Sequence, residues 1–454
     1  MWALRFVRRI TYDRMLMDIA QPITAARTGQ APADVEPQRA RLTQQCVPSS
    51  EAGTAPGINI APGSSDDGWI VPDPVRLADG SRLQLYKDGE ALHAGYRAIE
   101  RARTRVCLEM YIFHDDDTGR AFAELLCKKA SEGVRVYVIY DSFGSIGTDR
   151  EMFERMRRSG VQVEEFHPIR PWEGRYSWRP FNRDHRKLLV IDDDQAGMGG
   201  LNVGAEYAGS WVIQPSAPEG GECDFWRDTA IGVVGPSSRH FLRAFAKSWN
   251  YVQHGGRIRK AEYVYDLCGP GTADSEIGVL ATVPTLSSPL RPFLGKLFRE
   301  ARQSIEMTMA YFAPDDELVG ELCKAARRGA RVRLMLPGRI DVQALRWAAR
   351  SFYEKLMASG VEIYERQAAV LHAKTMVVDG YTSMVGSTNL DYRSIEYNLE
   401  LSAVVRSSEF GRQMSAMFDN DVRFAKRMTL KEWRRRPWRD KFVQWAVSRA
   451  RYLL

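Results

Sequence analysis

The sequence is poor in cysteine, and its apolar runs are short. Six cysteines are spread over 454 residues without a C-x-x-C pair, a pattern that favours neither a zinc site nor a small disulfide scaffold. No run approaches the roughly 18 apolar residues that a transmembrane helix needs. The charged residue Arg5 interrupts the N-terminal apolar residues too early for a signal peptide. We therefore expect reduced thiols, a cytoplasmic setting and no transmembrane segment, so that any membrane contact is peripheral.

The composition is that of an ordinary globular protein with a basic balance. Hydrophobic residues make up 44% of the chain and charged residues 27%, with a net charge of +7. A chain of this length can bury a sizeable core and is predicted to form two domains. The positive charge favours an anionic partner, either nucleic acid or an acidic lipid surface, and composition does not choose between them.

We divide the chain into four segments. Residues 1–75 lack sustained periodicity and become rich in Pro, Gly and Ser, which predicts a disordered arm and linker. Residues 76–262 and 275–425 are predicted to form two similar halves. Residues 426–454 are predicted to form a basic amphipathic tail.

An internal repeat relates the two halves. Residues 106–140 and 305–336 both read as a strand, an acidic loop, an amphipathic helix, a glycine turn and a second strand. Strands that alternate with helices indicate an α/β fold with helices on the faces of a sheet. We interpret the acidic clusters at 115–117, 192–194 and 315–316 as solvated loop residues, and we predict no metal site.

A second pattern occurs once in each half with identical spacing. It reads His-x-Lys, four residues, Asp, six residues, Gly-[Gly/Ser]-x-Asn. A single His-x-Lys would carry no weight, but two copies with matched spacing inside a repeat are a strong signal. The first copy comprises His185, Lys187, Asp192 and Asn202, and the second comprises His372, Lys374, Asp379 and Asn389.

These residue types suit one reaction class. Alternate residues of a strand share a face, so each histidine should lie beside its lysine. Two halves placed face to face would then combine two imidazoles, two ammonium groups and two carboxamides. Lysine and asparagine can hold the non-bridging oxygens of a phosphodiester, while the two histidines divide the nucleophile and acid roles. The motifs therefore predict metal-independent phosphodiester transfer at a single site.

Four carboxylates accompany the motifs. Asp192 and Asp379 belong to the two motifs that make up the candidate catalytic set, but each lies at an odd offset from its histidine. We expect them to point away and to act by salt bridge or turn capping. Asp228 and Glu400 each precede a later strand in their half, and they are our candidates to orient the histidines and stabilise their charge.

The paired motifs resemble the phospholipase D superfamily, and the segments 185–207, 226–229 and 386–400 are similar to cardiolipin synthases of the phospholipase D type. The resemblance covers roughly 80–425. It implies a duplicated unit of two mixed sheets flanked by helices, one active site between the halves, a phospho-histidine intermediate and no cofactor. It also implies that His185 is the nucleophile. Gly200 stands where the superfamily often has serine, although Gly-Gly is usual in cardiolipin synthases.

The tail and the stretch 166–184 have two interpretations each. From Arg427 onward the tail has nine Lys and Arg residues against two acids, and Trp438, Phe442 and Trp445 share one helix face. We favour an interfacial membrane helix over a helix packed on its own domain. The stretch 166–184 is rich in Trp and Arg, and it either lines the mouth of the active site or is a surface loop.

Three functions remain open on these grounds. The first is a phosphatidyltransferase that forms cardiolipin from phosphatidylglycerol, peripheral on the cytoplasmic face of the cell membrane and similar to the shorter, peripherally attached enzymes. The second is a hydrolase or nuclease of the same superfamily. Nucleic acid is the less favoured partner because the basic charge lies in a Trp-rich tail. The third is an inactive lipid-binding scaffold. The completeness of both motifs argues against this third function.

Overall fold

The computed structural model describes residues 68–169, 181–209, 225–255, 276–282 and 288–449. Most of the predicted N-terminal arm, the connection between the halves and the centre of the Trp-rich stretch lie outside the described residues. Ordered structure begins before the boundary that we predicted at residue 76. Trp69 is buried in the core, and the ammonium group of Lys87 lies over its ring.

The first half forms an eight-stranded sheet in the order β1-β2-β8-β7-β6-β3-β4-β5. The strands are β1 (Val75–Arg76), β2 (Arg82–Lys87), β3 (Arg105–Met110), β4 (Arg135–Asp141), β5 (Gln162–Phe166), β6 (Lys187–Ile191), β7 (Gln195–Gly199) and β8 (Thr229–Val234). The helices are α1 (Glu90–Arg101), α2 (Asp117–Ser131), α3 (Arg150–Arg158) and α4 (Ser238–Gln253).

The second half forms an eight-stranded sheet in the order β16-β12-β11-β10-β13-β14-β15-β9. The strands are β9 (Ile277–Ala281), β10 (Ser304–Met309), β11 (Arg331–Arg339), β12 (Glu362–Val370), β13 (Lys374–Val378), β14 (Thr382–Gly386), β15 (Leu401–Arg406) and β16 (Ala425–Met428). The helices are α5 (Leu290–Glu300), α6 (Asp316–Arg327), α7 (Gln343–Ser351), α8 (Tyr353–Ala358), α9 (Tyr392–Glu396), α10 (Ser408–Val422), α11 (Leu430–Arg434) and α12 (Trp438–Arg449).

The two sheets share the same strand order over seven strands, while β1 at one edge of the first sheet and β16 at the opposite edge of the second have no counterpart among the described residues. Strands β3, β4 and β5 run parallel, and β6, β7 and β8 add antiparallel partners on the other side of β3. Strands β10, β11 and β12, followed by β13, β14 and β15, repeat this arrangement. The prediction of a duplicated unit with two mixed sheets flanked by helices is therefore confirmed.

Local interactions explain why the repeated helices begin and end at matching places. The side chains of Asp116 and Asp315 accept hydrogen bonds from backbone N–H groups in the first turns of α2 and α6. They therefore act as N-caps, which gives the acidic clusters a structural purpose. Gly133 and Gly329 follow these helices with φ of +89° and +101°, a conformation that glycine adopts without steric cost.

The halves share a hydrophobic core. Strands β7 and β8 lie against β14, and one buried cluster contains Ile231 and Val233 of the first half together with Val385, Leu401 and Met417 of the second. Helix α4 adds aromatic side chains to the same cluster. Because this apolar surface is continuous, each half completes the core of the other.

The described part of the predicted tail completes β16 and then forms α11 and α12, and α12 packs against α7. Trp433 and Gln444 are buried and anchor the segment. Trp438, Phe442 and Trp445 are 72%, 59% and 55% exposed. The tail therefore packs on its own domain and also presents an aromatic face to the outside. Among the helices in the described ranges, none has the length and hydropathy needed to cross a bilayer.

A buried ion-pair network also joins the halves. The guanidinium of Arg227 donates to both carboxylate oxygens of Asp421, with N–O distances of 2.7 to 3.0 Å. Lys87 and Arg366 lie 3.5 and 3.4 Å from the same carboxylate. These nearby cations lower the pKa of Asp421 although burial opposes them. Arg227 lies on the first half and Asp421 on the second, so the network holds the halves together by charge.

We predict that Asp421→Asn destabilises the protein by about 3–5 kcal/mol, because it removes the carboxylate that pairs most closely with the buried guanidinium of Arg227. The other carboxylate beside this guanidinium, that of Asp88, lies farther away, at 3.6 Å. Chemical denaturation followed by circular dichroism measures the free energy of unfolding. Glu300→Gln removes one partner of the exposed Lys296–Glu300 pair and serves as the control, with an expected change below about 0.5 kcal/mol. A loss below about 1 kcal/mol in the Asp421 variant would show that the network is not structurally important.

Candidate active site

Two reciprocal backbone contacts bring the predicted motifs together. The N–H of His185 donates to the carbonyl of Leu399, at 2.9 Å, and the N–H of His372 donates to the carbonyl of Arg227, at 2.8 Å. The segments pair as isolated parallel bridges, Asp184 with Leu399 and Arg227 with Leu371. Each histidine segment thus pairs with the residue that precedes the candidate carboxylate of the other half.

The histidine–carboxylate pairs consequently cross between the halves. Nδ1 of His185 lies 3.1 Å from Oε2 of Glu400, and Nδ1 of His372 lies 2.6 Å from Oδ2 of Asp228. A hydrogen bond at Nδ1 fixes the ring orientation and leaves Nε2 available for chemistry. The structure therefore brings both predicted orienting residues to a histidine, and in each case it is the histidine of the opposite half.

The two lysines are fully buried beside the histidines. The ammonium group of Lys187 donates to the carbonyl of His185, at 2.7 Å, and Lys374 makes the corresponding bond to His372. Burial, and then the charge of Lys374, lowers the pKa of Lys187 to about 7. Burial also lowers the pKa of Lys374 to about 8, against the opposing effect of Asp228. The two ammonium groups thus share one buried site, where a bound anion would raise the pKa of each.

Burial also keeps both imidazoles neutral. It lowers the pKa of His185 to about 4, although Glu400 opposes it. Burial and the charges of Lys374 and Lys187 hold the pKa of His372 well below its usual value. Both rings are consequently unprotonated near pH 7, as a histidine nucleophile requires.

The two orienting carboxylates differ in their surroundings. Burial raises the pKa of Asp228 to about 6, against the opposing effect of Lys374. Burial acts in the same direction on Glu400, but His185, Lys187 and the hydroxyl of Ser387 outweigh it and lower its pKa. Glu400 therefore remains ionised more firmly than Asp228.

The residues at positions 200 and 387 account for part of the difference between the pKa values of Asp228 and Glu400. The hydroxyl of Ser387 donates to Oε2 of Glu400, and Ser394 and Asn398 donate to Oε1 at 2.9 and 3.1 Å. At the equivalent position a Cβ on Gly200 would lie 2.1 Å from Oδ1 of Asp228. The Gly-Gly form of the first motif is thus required because the Asp228 carboxylate occupies the space that a serine side chain would need.

The two asparagines lie at matching positions in the loops that follow β7 and β14. Oδ1 of Asn202 accepts from the N–H of Ile112, at 3.1 Å, and Oδ1 of Asn389 accepts from the N–H of Tyr311, at 3.3 Å. The amide group of Asn202 donates to the hydroxyl of Tyr207. Because each oxygen is bound by backbone, the carboxamides are oriented as donors, which suits phosphate oxygens.

Asp192 and Asp379 lie just beyond the ends of β6 and β13. Asp192 accepts from three consecutive backbone N–H groups, of residues 103–105, at 2.7 to 3.0 Å. Asp379 accepts from those of residues 302–304 at 2.7 to 3.1 Å. Both have positive φ, so they close the turn and fasten it to the start of β3 or β10. These contacts are structural, as the odd offset led us to expect.

The motif analysis missed the aromatic residues around the histidines. The ring centroid of Tyr111 lies 4.9 Å from that of His185, and the Lys187 ammonium lies over the Tyr111 ring. Trp226 and Tyr207 lie 5.1 and 5.5 Å from the ring of His372. Only Trp226 carried a sequence signal, since it stands two residues before Asp228. Within the residues that the structure describes, no cluster of three or more His, Cys, Asp or Glu has the geometry of a metal site.

Comparisons with known proteins agree with this geometry. A family model described as "Cardiolipin synthase, PLD-like domain" matches residues 96–209 and 294–422. A cardiolipin synthase of Geobacillus thermodenitrificans is 31% identical over 383 residues, which is 84% of this chain and 73% of that protein. The probable cardiolipin synthase YwiE of Bacillus subtilis is 29% identical over 77% of this chain and 67% of its own length.

Among solved structures, the phosphatidylserine synthase of Haemophilus influenzae is similar in fold. It aligns with 84% of this chain and 97% of its own, with a TM-score of 0.62 and a sequence identity of 14%. At this identity the similarity concerns the fold alone. It agrees with the duplicated architecture of two mixed sheets described above.

We predict that the affinity of the site for a dialkyl phosphate falls as pH rises from 6 to 9. This ligand keeps one negative charge throughout the range, whereas Lys187 and Lys374 lose their positive charges above pH values of about 7 and about 8. Each lysine should contribute up to about tenfold per pH unit above its pKa. Isothermal titration calorimetry measures the affinity.

Lys187→Met should remove one of the two pH-dependent steps, whereas Lys296→Met, which changes an exposed lysine on α5, should leave the profile unchanged. An affinity that stays constant from pH 6 to 9 would contradict the assignment of these lysines as the anion-binding charges.

Proposed function

The chain belongs to the family of PLD-like cardiolipin synthases, as its paired motifs predicted, and we propose that it is a phosphatidyltransferase that forms cardiolipin from phosphatidylglycerol. The observation that carries this proposal is the crossed arrangement of His185–Glu400 and His372–Asp228 between two buried lysines. Two oriented imidazoles with two cations form a set suited to a double displacement at phosphorus.

In the first step, Nε2 of His185 attacks the phosphorus of the donor phosphatidylglycerol. The N–P bond forms while the bond from phosphorus to the glycerol headgroup oxygen breaks, and His372 gives its proton to the departing glycerol. In the second step, His372 takes a proton from a hydroxyl of the acceptor phosphatidylglycerol. That oxygen attacks phosphorus, the N–P bond breaks, and cardiolipin leaves with His185 restored.

The carboxylates favour His185 as the nucleophile. A phosphorylated imidazole carries positive charge, which a firmly ionised partner stabilises best. Glu400 has a lowered pKa and several hydrogen-bond donors around it, whereas the pKa of Asp228 is raised to about 6. His372 is then the acid and base. The bound phosphodiester anion raises its pKa and lets it hold the proton that it must donate.

Lys187, Lys374, Asn202 and Asn389 would stabilise the negative charge that develops on the non-bridging oxygens. Their fixed positions supply this stabilisation from the protein itself. The burial of the histidines and the rings of Tyr111, Tyr207 and Trp226 restrict water around the intermediate. Restricted water favours transfer to a lipid alcohol over hydrolysis. A hydrolase or nuclease activity is the alternative that the assay below distinguishes.

We further propose that the enzyme acts as a peripheral protein on the cytoplasmic face of the cell membrane, with anionic phospholipid as its partner. Helix α12 supports this because its packed side fixes the orientation of its exposed aromatic side. Arg439 and Arg449 lie over the rings of Trp438 and Trp445, which places basic charge next to the aromatic face. Aromatic rings and arginine together suit an anionic membrane interface.

We predict that His185→Ala and His372→Ala each lower the rate of cardiolipin formation by at least about a thousandfold, since each removes an essential group. Purified protein is incubated with phosphatidylglycerol vesicles and excess EDTA, and lipid products are resolved by mass. His254→Ala, which changes an exposed histidine bonded to the carbonyl of Asn250, should retain full activity.

Each alternative gives a different result in this assay. Phosphatidic acid in place of cardiolipin would identify a hydrolase, and cleavage of added DNA would identify a nuclease. Substantial activity in either histidine variant would contradict the two-histidine mechanism. Activity that EDTA stops and a divalent ion restores would contradict charge stabilisation by the lysines alone.

We predict that replacing Trp438, Phe442 and Trp445 by alanine weakens binding to phosphatidylglycerol vesicles by about tenfold or more, because the rings no longer enter the headgroup boundary. Vesicle sedimentation at increasing salt measures this binding. Activity on a short-chain, water-soluble phosphatidylglycerol should fall much less. Tyr381→Ala, an exposed aromatic residue between β13 and β14, is the control. Equal sedimentation of the triple variant and the wild type would place the docking surface elsewhere.

A further inference from the structure

An apolar groove lies between helix α1 and the sheet of the first half. Its volume is about 410 Å³, within the usual range of about 300–1,000 Å³ for ligand pockets. It follows strands β6, β7 and β8 along their length, from Lys187 and Gly199 at one end to Ile191, Gln195 and Val234 at the other. The four residue steps from Lys187 to Ile191 along β6 give the groove a length of roughly 13 Å. For its volume the groove is therefore long and narrow.

Small residues create this space. Helix α1 faces the groove with alanine and glycine, and strands β7 and β8 face it with glycine and alanine at alternate positions. These residues are Ala91, Ala94, Gly95, Ala98, Gly197, Ala230 and Gly232. A helix and a sheet normally bury large side chains between them, so this stretch departs from ordinary core packing.

The second half provides an internal comparison, because α5, β14 and β15 are the repeats of α1, β7 and β8. Ala102 and Ala301 end the two helices with matching conformations, and Gly199 and Gly386 end the two strands, which fixes the alignment. In the second half the matching positions hold Leu290, Phe293, Leu294, Leu297, Met384, Ser402 and Val404. All of these except Ser402 belong to, or pack against, one hydrophobic cluster. The groove is thus a property of the first half and is not imposed by the fold.

The outer end of the groove is basic. Arg82, Arg97 and Arg101 line it together with Pro74 and Val234. Of the lining residues, Pro74, Arg82, Arg101 and Val234 are exposed, and all of them lie at this end. Arg97 also pairs with Glu100, at 2.7 Å. A molecule entering here would pass three guanidinium groups before it reached the apolar interior.

We propose that this groove binds one acyl chain of an anionic phospholipid, with the headgroup at Arg82, Arg97 and Arg101 and the methyl end directed toward Lys187. The narrow apolar interior suits a hydrocarbon chain, and the basic mouth suits a phosphate group. This lipid site meets the reacting centre only at Lys187, at its inner end, and it goes beyond the proposed transfer reaction. A lipid held there would attach the first half to the membrane, as α12 would attach the second.

Filling the groove tests the proposal. Gly197 is the best position, because a Cβ there would meet only the Ile231 carbonyl, at 3.8 Å, within the 4 Å of an ordinary contact. Gly197→Met introduces the residue that the second half carries at the matching position. The probe is cis-parinaric acid, whose fluorescence rises when its chain enters an apolar site. We expect saturable binding to the wild type and at least about tenfold weaker binding to Gly197→Met.

Two further variants and a competitor sharpen the result. Gly320→Met, on the surface of α6 where a Cβ meets nothing within 4 Å, should bind the probe as the wild type does. Arg82→Gln combined with Arg101→Gln should weaken binding about tenfold by removing charge at the mouth. Long-chain phosphatidylglycerol should displace the probe better than long-chain phosphatidylcholine, and short-chain phosphatidylglycerol should displace it poorly.

Circular dichroism establishes that each variant is folded. If Gly197→Met does not fold, Gly197→Ala replaces it and should weaken binding to a smaller extent. The proposal would be overturned if the probe bound a folded Gly197→Met or Gly197→Ala variant as tightly as the wild type. It would also be overturned if the wild type showed no saturable binding of the probe. Binding is measured without turnover, so a protein that binds the probe but makes no cardiolipin would contradict only the proposed function. An active enzyme that binds no probe would contradict only the groove.

Discussion

The exchange of carboxylates between the halves is the constraint on which the rest of the structure depends. His185 finds Glu400 and His372 finds Asp228 only because two short parallel bridges align each histidine segment with the opposite half. Neither half alone holds both members of either histidine–carboxylate pair. A shift between the sheets would break both pairs together, which explains why the interface combines a continuous apolar core with the buried Arg227–Asp421 pair.

The middle residue of the first motif contributes to the same constraint. Arg186 is buried and donates to the carbonyls of Glu400 and Thr282 and to the hydroxyl of Ser248. It thereby fixes the backbone that carries the His185 partner. At the equivalent position, Ala373 takes part in a backbone contact with Arg227. The site is consequently held rigid before any substrate arrives, and its buried cations favour the anion that would neutralise them.

The duplication repeats seven strands in the same order, and the functional differences between the halves come from individual residues. Gly200 makes room for Asp228, whereas Ser387 binds Glu400, so the two carboxylates differ in their readiness to ionise. Alanine and glycine on α1 open a groove where leucine and phenylalanine on α5 close it. A single ancestral unit could supply the shared frame, while the separate substitutions assign different tasks to the two halves.

The sequence by itself determined the repeat, the positions of the strands that carry the motifs and the identity of the catalytic candidates. These follow from local spacing, since alternation within a strand involves residues close together in the chain. The odd offset of Asp192 and Asp379 likewise predicted their structural contacts. Only the tertiary structure decided which carboxylate serves which histidine, which aromatic rings surround them and which half keeps an open groove. Those outcomes depend on the packing of segments distant in the chain, with separations of 215 residues between His185 and Glu400 and 144 between His372 and Asp228, and no local period encodes such packing.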